Sequence, residues 1–342
     1  MDRQFPPEII EIIFHASLPP PDSSVSAPLP KSRYRTLKTF SLLNSAWREI
    51  ARPSLYEWVV LESATTMEQF MQTIEGAGGV ETAVRSLTCR IQPGPSLGAT
   101  RKLLRCVPLL ENLALGPGYV DIAGLAGLQH LRRLEISCTR LLGLSSTRSL
   151  ACVRLKDLRM DMAHIDPSAF TTAFLPAVRY LDTTAFDSRL PSSLAQQIDG
   201  IRMKSPSPRL LGARSSGLKK SLLLLQISDS SDVHDVVVMR LLDPLPPFLL
   251  VDHEDPAEAS KTVTQILEES STRNKKGLRV VFLRIANRGE LQRNLQSMIE
   301  KLEQGGVRVE RHEGALGLFG AAARMEEILA KEKRVAEDVA SG

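Results

Sequence analysis

LENLAL at residues 110–115 and LRRLEI at residues 131–136 share one spacing: an apolar residue, two variable ones, an apolar one, a variable one, and a third small or apolar one. The spacing recurs from Val84 to Cys89, Leu155 to Met160, Val178 to Thr183, Ile198 to Met203, Leu222 to Ile227 and Leu278 to Leu283. The starts lie about 20 to 26 residues apart, except the last, whose gap is about twice that. The strand-like Pro247–Val251 sits inside that wider gap. Apolar residues at the fourth and sixth places put two side chains on one face of a short strand. One such strand cannot bury that face alone, whereas a stack of them can.

Between the strands, Ala99–Val107, Pro167–Phe174, Pro256–Ser271 and Gly289–Gln304 read as helical or irregular returns. The last two give the end of the chain β-α-β-α-β character. A closing helix over roughly Gly320 to Val339, with Met325, Ile328, Leu329 and Val335 along one side, is expected to cap the open end of the stack. The residue between the fourth and sixth places points away from the buried face. Those positions are Thr88, Ala114, Glu135, Arg159, Asp182, Arg202, Gln226 and Phe282. Their mixed charge suits a protein-binding surface, and Arg133, Glu135, Arg159, Asp182 and Arg202 are the candidate target-binding residues.

The first sixty residues are organised differently. Pro6 and Pro7 suit a helix entry, and Glu8 complements the positive end of the helix dipole. Ile9, Ile12, Ile13 and Ala16 form the expected apolar face, with Ile10 and Phe14 beside it. Pro19, Pro20 and Pro21 end the helix, and residues 18–33 read as a Pro/Ser loop. Leu37, Phe40, Leu43 and Trp47 then recur at helical spacing, and Pro53 marks the expected break before an extended segment through Trp58, Val59 and Val60.

This N-terminal stretch resembles the F-box. Phe5-Pro6-Pro7-Glu8-Ile9-Ile10 is similar to the family's opening Leu-Pro-x-Glu-Ile-Leu, and Ser41-Leu42-Leu43-Asn44 with Trp47-Arg48 to its later Ser-Leu-Val-Cys…Trp-Arg. The resemblance implies docking to the adaptor protein of an SCF-type, cullin–RING ubiquitin ligase. By matching position it implies that Phe5, Pro6, Ile9, Leu42 and Leu43 touch that adaptor, while Trp47 fills the module's own core. The loop exceeds the minimal family pattern, as it often does in fungal members. From about Val80 the chain resembles the leucine-rich-repeat-like domains that follow the F-box in many fungal proteins. The family's buried Asn or Cys is absent; Gln92, Gly118, Thr139, Ala163 and Phe186 stand there instead, so irregular repeats are expected.

The expected fold class is therefore α/β: a small helical module over 1–62, then an irregular leucine-rich-repeat-like solenoid over 63–342, with parallel strands and helical or irregular returns. The expected partners are the SCF adaptor and an unidentified protein target. The alternative is a ligase-independent repeat scaffold.

Composition narrows the other classes. Net charge is +4 with both signs interspersed, which does not mark a nucleic-acid binder. Cys89, Cys106, Cys138 and Cys152 lie too far apart for a zinc ribbon or disulfide framework. No secretory signal and no apolar run of about 18 residues is present, so a cytoplasmic or nuclear protein without a membrane span is expected. Asp252-His253-Glu254-Asp255 and Asp232-Val-His234-Asp235 gather possible metal ligands, but adjacent residues cannot all converge on one ion. The glycines of 314–320 lack the Lys-Ser/Thr of a phosphate loop, and those of 76–79 read as a turn. No Gly-x-Ser-x-Gly elbow occurs. No catalytic residue, metal or cofactor is expected; an enzyme built on Pro247–Arg311 is the third reading.

Overall fold

The computed structural model describes residues 7–17, 31–76, 82–121, 124, 125, 127–137, 139–142, 154–161, 177–183, 197–203, 224–227, 246–252, 259, 261–264, 278–284, 292–312 and 317–341. It is a mixed α/β structure in two compact units, one running to Leu155 and the other built from Lys156–Met160 and from Val178 onward.

The first unit opens with three helices, α1 (Pro7–Ser17), α2 (Lys31–Leu43) and α3 (Ser45–Tyr56). Asn44 caps α3, its side-chain oxygen accepting from the Trp47 backbone N–H at 3.1 Å, which satisfies one of the free amides of a helix start. Phe14, Leu37 and Ala51 form a buried centre, packed on by Phe40, Trp47, Ile50 and Leu55. Phe14 meets Phe40 edge-on at 5.5 Å, and Phe40 stacks on Trp47 at 4.8 Å. The three helices thus share a core of their own.

Two sequence expectations change here. The buried side of α1 carries Ile10 and Phe14, whereas Ile9, Ile12 and Ile13 face outward. The periodicity marked two apolar sides on one short helix, and only packing against α2 and α3 decides which is inside. Pro53 does not end α3, which continues to Tyr56. Packing of Leu55 onto the shared core supports the last turn despite the hydrogen bond that proline removes.

Strands and short helices follow: β1 (Trp58–Leu61), α4 (Ala64–Gly76), β2 (Ser86–Cys89), α5 (Leu97–Arg105), β3 (Asn112–Leu115), β4 (Gly118–Asp121), β5 (Arg133–Ser137) and β6 (Thr139–Leu142). β1, β2, β3 and β5 are parallel neighbours in that order, and β4 pairs with β6 in a small second sheet. Leu87, Leu113 and Leu134 stand in one lateral row and Cys89, Leu115 and Ile136 in another. All six are buried. The expected boundary at residue 62 falls just after β1, which already pairs with β2.

The second unit is a parallel sheet of seven strands in chain order: β7 (Asp157–Asp161), β8 (Tyr180–Thr183), β9 (Gly200–Met203), β10 (Leu224–Ile227), β11 (Phe248–Val251), β12 (Val280–Arg284) and β13 (Arg308–His312). Register aligns Leu158, Leu181, Ile201, Leu225, Leu249, Val281 and Val309. These are the fourth-place residues of the repeat together with their counterparts on β11 and β13. Helix α6 (Gln292–Gln304) joins β12 to β13, burying Ile299 and Leu302. It ends at Gly306, whose φ of 81° allows Val307 N–H to reach Leu302 O and Gly306 N–H to reach Glu303 O.

Helix α7 (Gly317–Ser341) closes the chain. It does not cap the end of the strand row. Leu318, Phe319, Ala321, Ala322, Met325 and Ile328 instead pack across the sheet face, against Tyr180, Leu224, Phe248, Leu250, Val280 and Phe282. These strand residues alternate with the repeat's buried ones, so they occupy the opposite face. Only their apolar character in β11 and β12 hinted that this face would be covered. Among the described residues, no helix is long and apolar enough to cross a membrane.

Candidate functional site

Two surfaces gather the residues singled out from sequence. The first is the outside of the helical module. Ile9, Leu42 and Leu43 are exposed, Leu42 to 69%, and so are Ile12, at 64%, and Ile13. Large aliphatic side chains this open contribute nothing to the core formed by Phe14, Leu37 and Ala51. Trp47 is turned the other way, against Phe40, as the sequence suggested. Phe5 and Pro6 lie outside the described residues.

The second is a row at the third position of each strand in the seven-stranded sheet, which on the repeat strands was expected to face outward but is buried at Asp182, Gln226 and Phe282. Register sets Arg159, Asp182, Arg202 and Gln226 side by side, followed by Leu250, Phe282 and Glu310. Asp182 is 6% exposed and lies between two guanidinium groups, 3.6 Å from Arg159 and 3.2 Å from Arg202. Gln226, 4% exposed, donates from Nε2 to Asp252 Oδ2 at 3.0 Å. Three residues spaced over some forty positions of sequence therefore become one charged group. Arg133 and Glu135 lie on β5 of the other unit, both half-buried.

Polar contacts hold α7 in place beside this row. Glu326 accepts from Lys156 Nζ at 2.5 Å and from the Tyr180 hydroxyl at 2.6 Å. Burial, then the bond to Glu326, pushes the Tyr180 hydroxyl pKa far up, so it remains a proton donor. The Tyr180 ring leaves no space on β9: a Cβ on Gly200 would sit 2.6 Å from it. Arg324 donates to Glu310 at 2.8 Å and Glu327 at 2.5 Å, and Glu332 accepts from Arg279 at 2.5 Å. Burial works to raise the Glu310 carboxyl, but the guanidinium groups of Arg324 and Arg308 outweigh it and leave the pKa lowered. His312, behind Glu310 and against the Phe282 ring, has its pKa lowered by burial.

Asp252 is a buried partner of Gln226, while His253, Glu254 and Asp255, the Asp232–Asp235 segment and Gly78, Gly79 and Gly314 lie outside the described residues; Gly76 ends α4. Among the described residues, no three His, Cys, Asp or Glu side chains group as metal ligands. Cys89 is buried and Cys106 half-buried, and burial raises both thiol pKa values.

Sequence reading missed the Gln226–Asp252 bond and the Lys156–Glu326–Tyr180 contact. Asp252 follows Leu250 by two, so strand alternation could have found the first. The second joins residues far apart in the chain and left no local signal. Compared with known proteins, the chain matches no family model and no curated protein.

Proposed function

We propose that this protein is the substrate-recognition subunit of an SCF-type ubiquitin ligase, with residues 1–62 as an F-box-like module and residues 63–342 as a leucine-rich-repeat-like, target-binding domain. One observation carries the reading. The helical module has a closed core of its own, yet leaves Ile9, Leu42 and Leu43 exposed at the positions that match the family's adaptor contacts. Such side chains suit the apolar groove of a partner. Phe5 and Pro6 complete the proposed adaptor contact.

Parallel strands in chain order, with repeat positions in lateral register, support the solenoid part of the reading. The proposed target contacts are Arg159 and Arg202 in one unit and Arg133 and Glu135 in the other; Asp182, expected among them, is buried and holds the two guanidinium groups in place. The mechanism is positional: holding adaptor and target together raises the target's effective concentration beside the ubiquitin-loaded enzyme. It needs no chemistry from this chain and operates in the cytoplasm or nucleus.

The test is co-purification with the adaptor. Ile9→Asp with Leu42→Asp is expected to abolish it at unchanged thermal stability, since neither side chain is in the core. Phe14→Ala, at a fully buried position, costs about 3–5 kcal/mol instead. A folded double variant that binds the adaptor as tightly as wild type refutes the docking assignment. A wild-type chain that ignores the adaptor but captures a protein leaves the ligase-independent scaffold.

A further inference from the structure

Strand β13 ends the sheet, with β12 on one side and, among the described residues, no strand on the other. The Arg308 N–H bonds Arg279 O, so in this parallel ladder Arg308, Glu310 and His312 turn their backbone groups to β12. Val309 and Arg311 turn theirs outward. Glu310 lies in register with Phe282, which packs under α7, so the side chains of Arg308, Glu310 and His312 share the face that α7 covers. There a hollow of about 640 Å³ lies between Arg308 and α7, with Ile328, Lys331, Val335 and Ala336 on its helix side.

We infer that this edge takes an extended acidic peptide as a further strand, with an apolar side chain in the hollow and a carboxylate against Lys331. An added strand satisfies the outward N–H and C=O groups of Val309 and Arg311, and its alternate side chains read the surface beside it. The hollow offers apolar contact at Ile328, which is buried, and at Val335, which is 55% exposed.

Charge selects the acidic character. Glu327 is bonded to Arg324 and Glu332 to Arg279, while Glu310 is shared by Arg308 and Arg324. Among the described residues, this leaves the exposed Lys331 and Arg311 without a carboxylate. A second copy fits worse. Pairing β13 antiparallel with its own edge, Val309 against Arg311, sets Glu310 opposite Glu310 and Arg308 opposite His312. The site shares no residue with the proposed adaptor or target contacts, and it stands whether or not the chain serves a ligase.

The test is a library of end-blocked random peptides of about eight residues, a strand's length, panned on the full chain. Enriched peptides are then measured by fluorescence anisotropy. They are expected to carry an apolar residue with Asp or Glu two positions away. Lys331→Glu and Val335→Asp, both at exposed sites, weaken them about tenfold or more. Arg311→Pro removes an outward N–H that the β12 ladder does not use, and abolishes binding at an unchanged urea midpoint; Arg311→Gln keeps that N–H and loses less. Methylating alternate amides of the peptide gives the same loss on the wild-type chain, which tests strand pairing even if the proline variant unfolds. No enrichment, enriched peptides without an acid, or binding indifferent to Lys331→Glu or to amide methylation would overturn the inference. So would a wild-type dimer that Arg311→Pro dissolves, which would give the edge to a second copy.

Discussion

Removing residues 317–342 asks whether α7 is part of the sheet's core or a cover over a binding surface. Without it, Tyr180, Leu224, Phe248, Leu250, Val280 and Phe282 lose their packing partners. At about 1.5–3 kcal/mol for each large side chain, the lost burial amounts to about 10–20 kcal/mol as an upper bound. A whole domain is stable by only about 5–15 kcal/mol. The truncated chain is therefore expected to lose the second unit, binding a hydrophobic dye and aggregating, and not to display an open, functional face. A milder perturbation grades the effect: Met325→Ala, at a buried site, costs about 2–5 kcal/mol, read as a lower urea midpoint with an unchanged slope. A truncated chain that remains monomeric, silent to the dye and as resistant to urea as wild type would refute the reasoning. The helix would then be a displaceable cover.

Two further outcomes follow from the sheet's polar groups. Asp182→Ala leaves Arg159 and Arg202 without the carboxylate between them and costs about 3 kcal/mol in urea unfolding; Asp182→Asn, which keeps hydrogen bonds but not charge, costs less. His312 gives a pH signature. Burial lowers its pKa below the ordinary 6.5, Glu310 opposes and Arg324 adds to the shift, so the unfolded chain takes up this proton first as the pH falls. Its neutral form therefore favours folding fully above pH 6.5, and that stability declines as the pH drops below 6.5. Glu310, lowered from 4.5, keeps its charge across that window and does not reverse the sign. Urea midpoints measured at about pH 7 and about pH 5.5 should fall less in His312→Asn than in wild type. Equal falls would show that His312 titrates alike in both states.

Much of the architecture was written locally. Each repeat from Val84–Cys89 to Leu278–Leu283 became a strand beginning at its third residue, because alternation and a run of only a few apolar positions admit little else. The candidate adaptor residues were legible in part: Ile9, Leu42 and Leu43 are open, and Ile12 and Ile13, on the same expected apolar face as Ile9, are open with it. A short helix that is apolar on two sides carries no local sign of which one meets its neighbours.

By itself, then, the chain determined where the strands of the repeat form and that its first sixty residues are largely helical. Those follow from periodicity, capping and proline, which act over a few residues. Tertiary structure alone decided the rest: that Phe14 and not Ile12 goes inside, that Arg159, Asp182 and Arg202 become one charged group, and that α7 lies across the sheet face. Each of these depends on residues distant in sequence competing to exclude water from the same surface, and the winner is set by the shape that the assembled strands present.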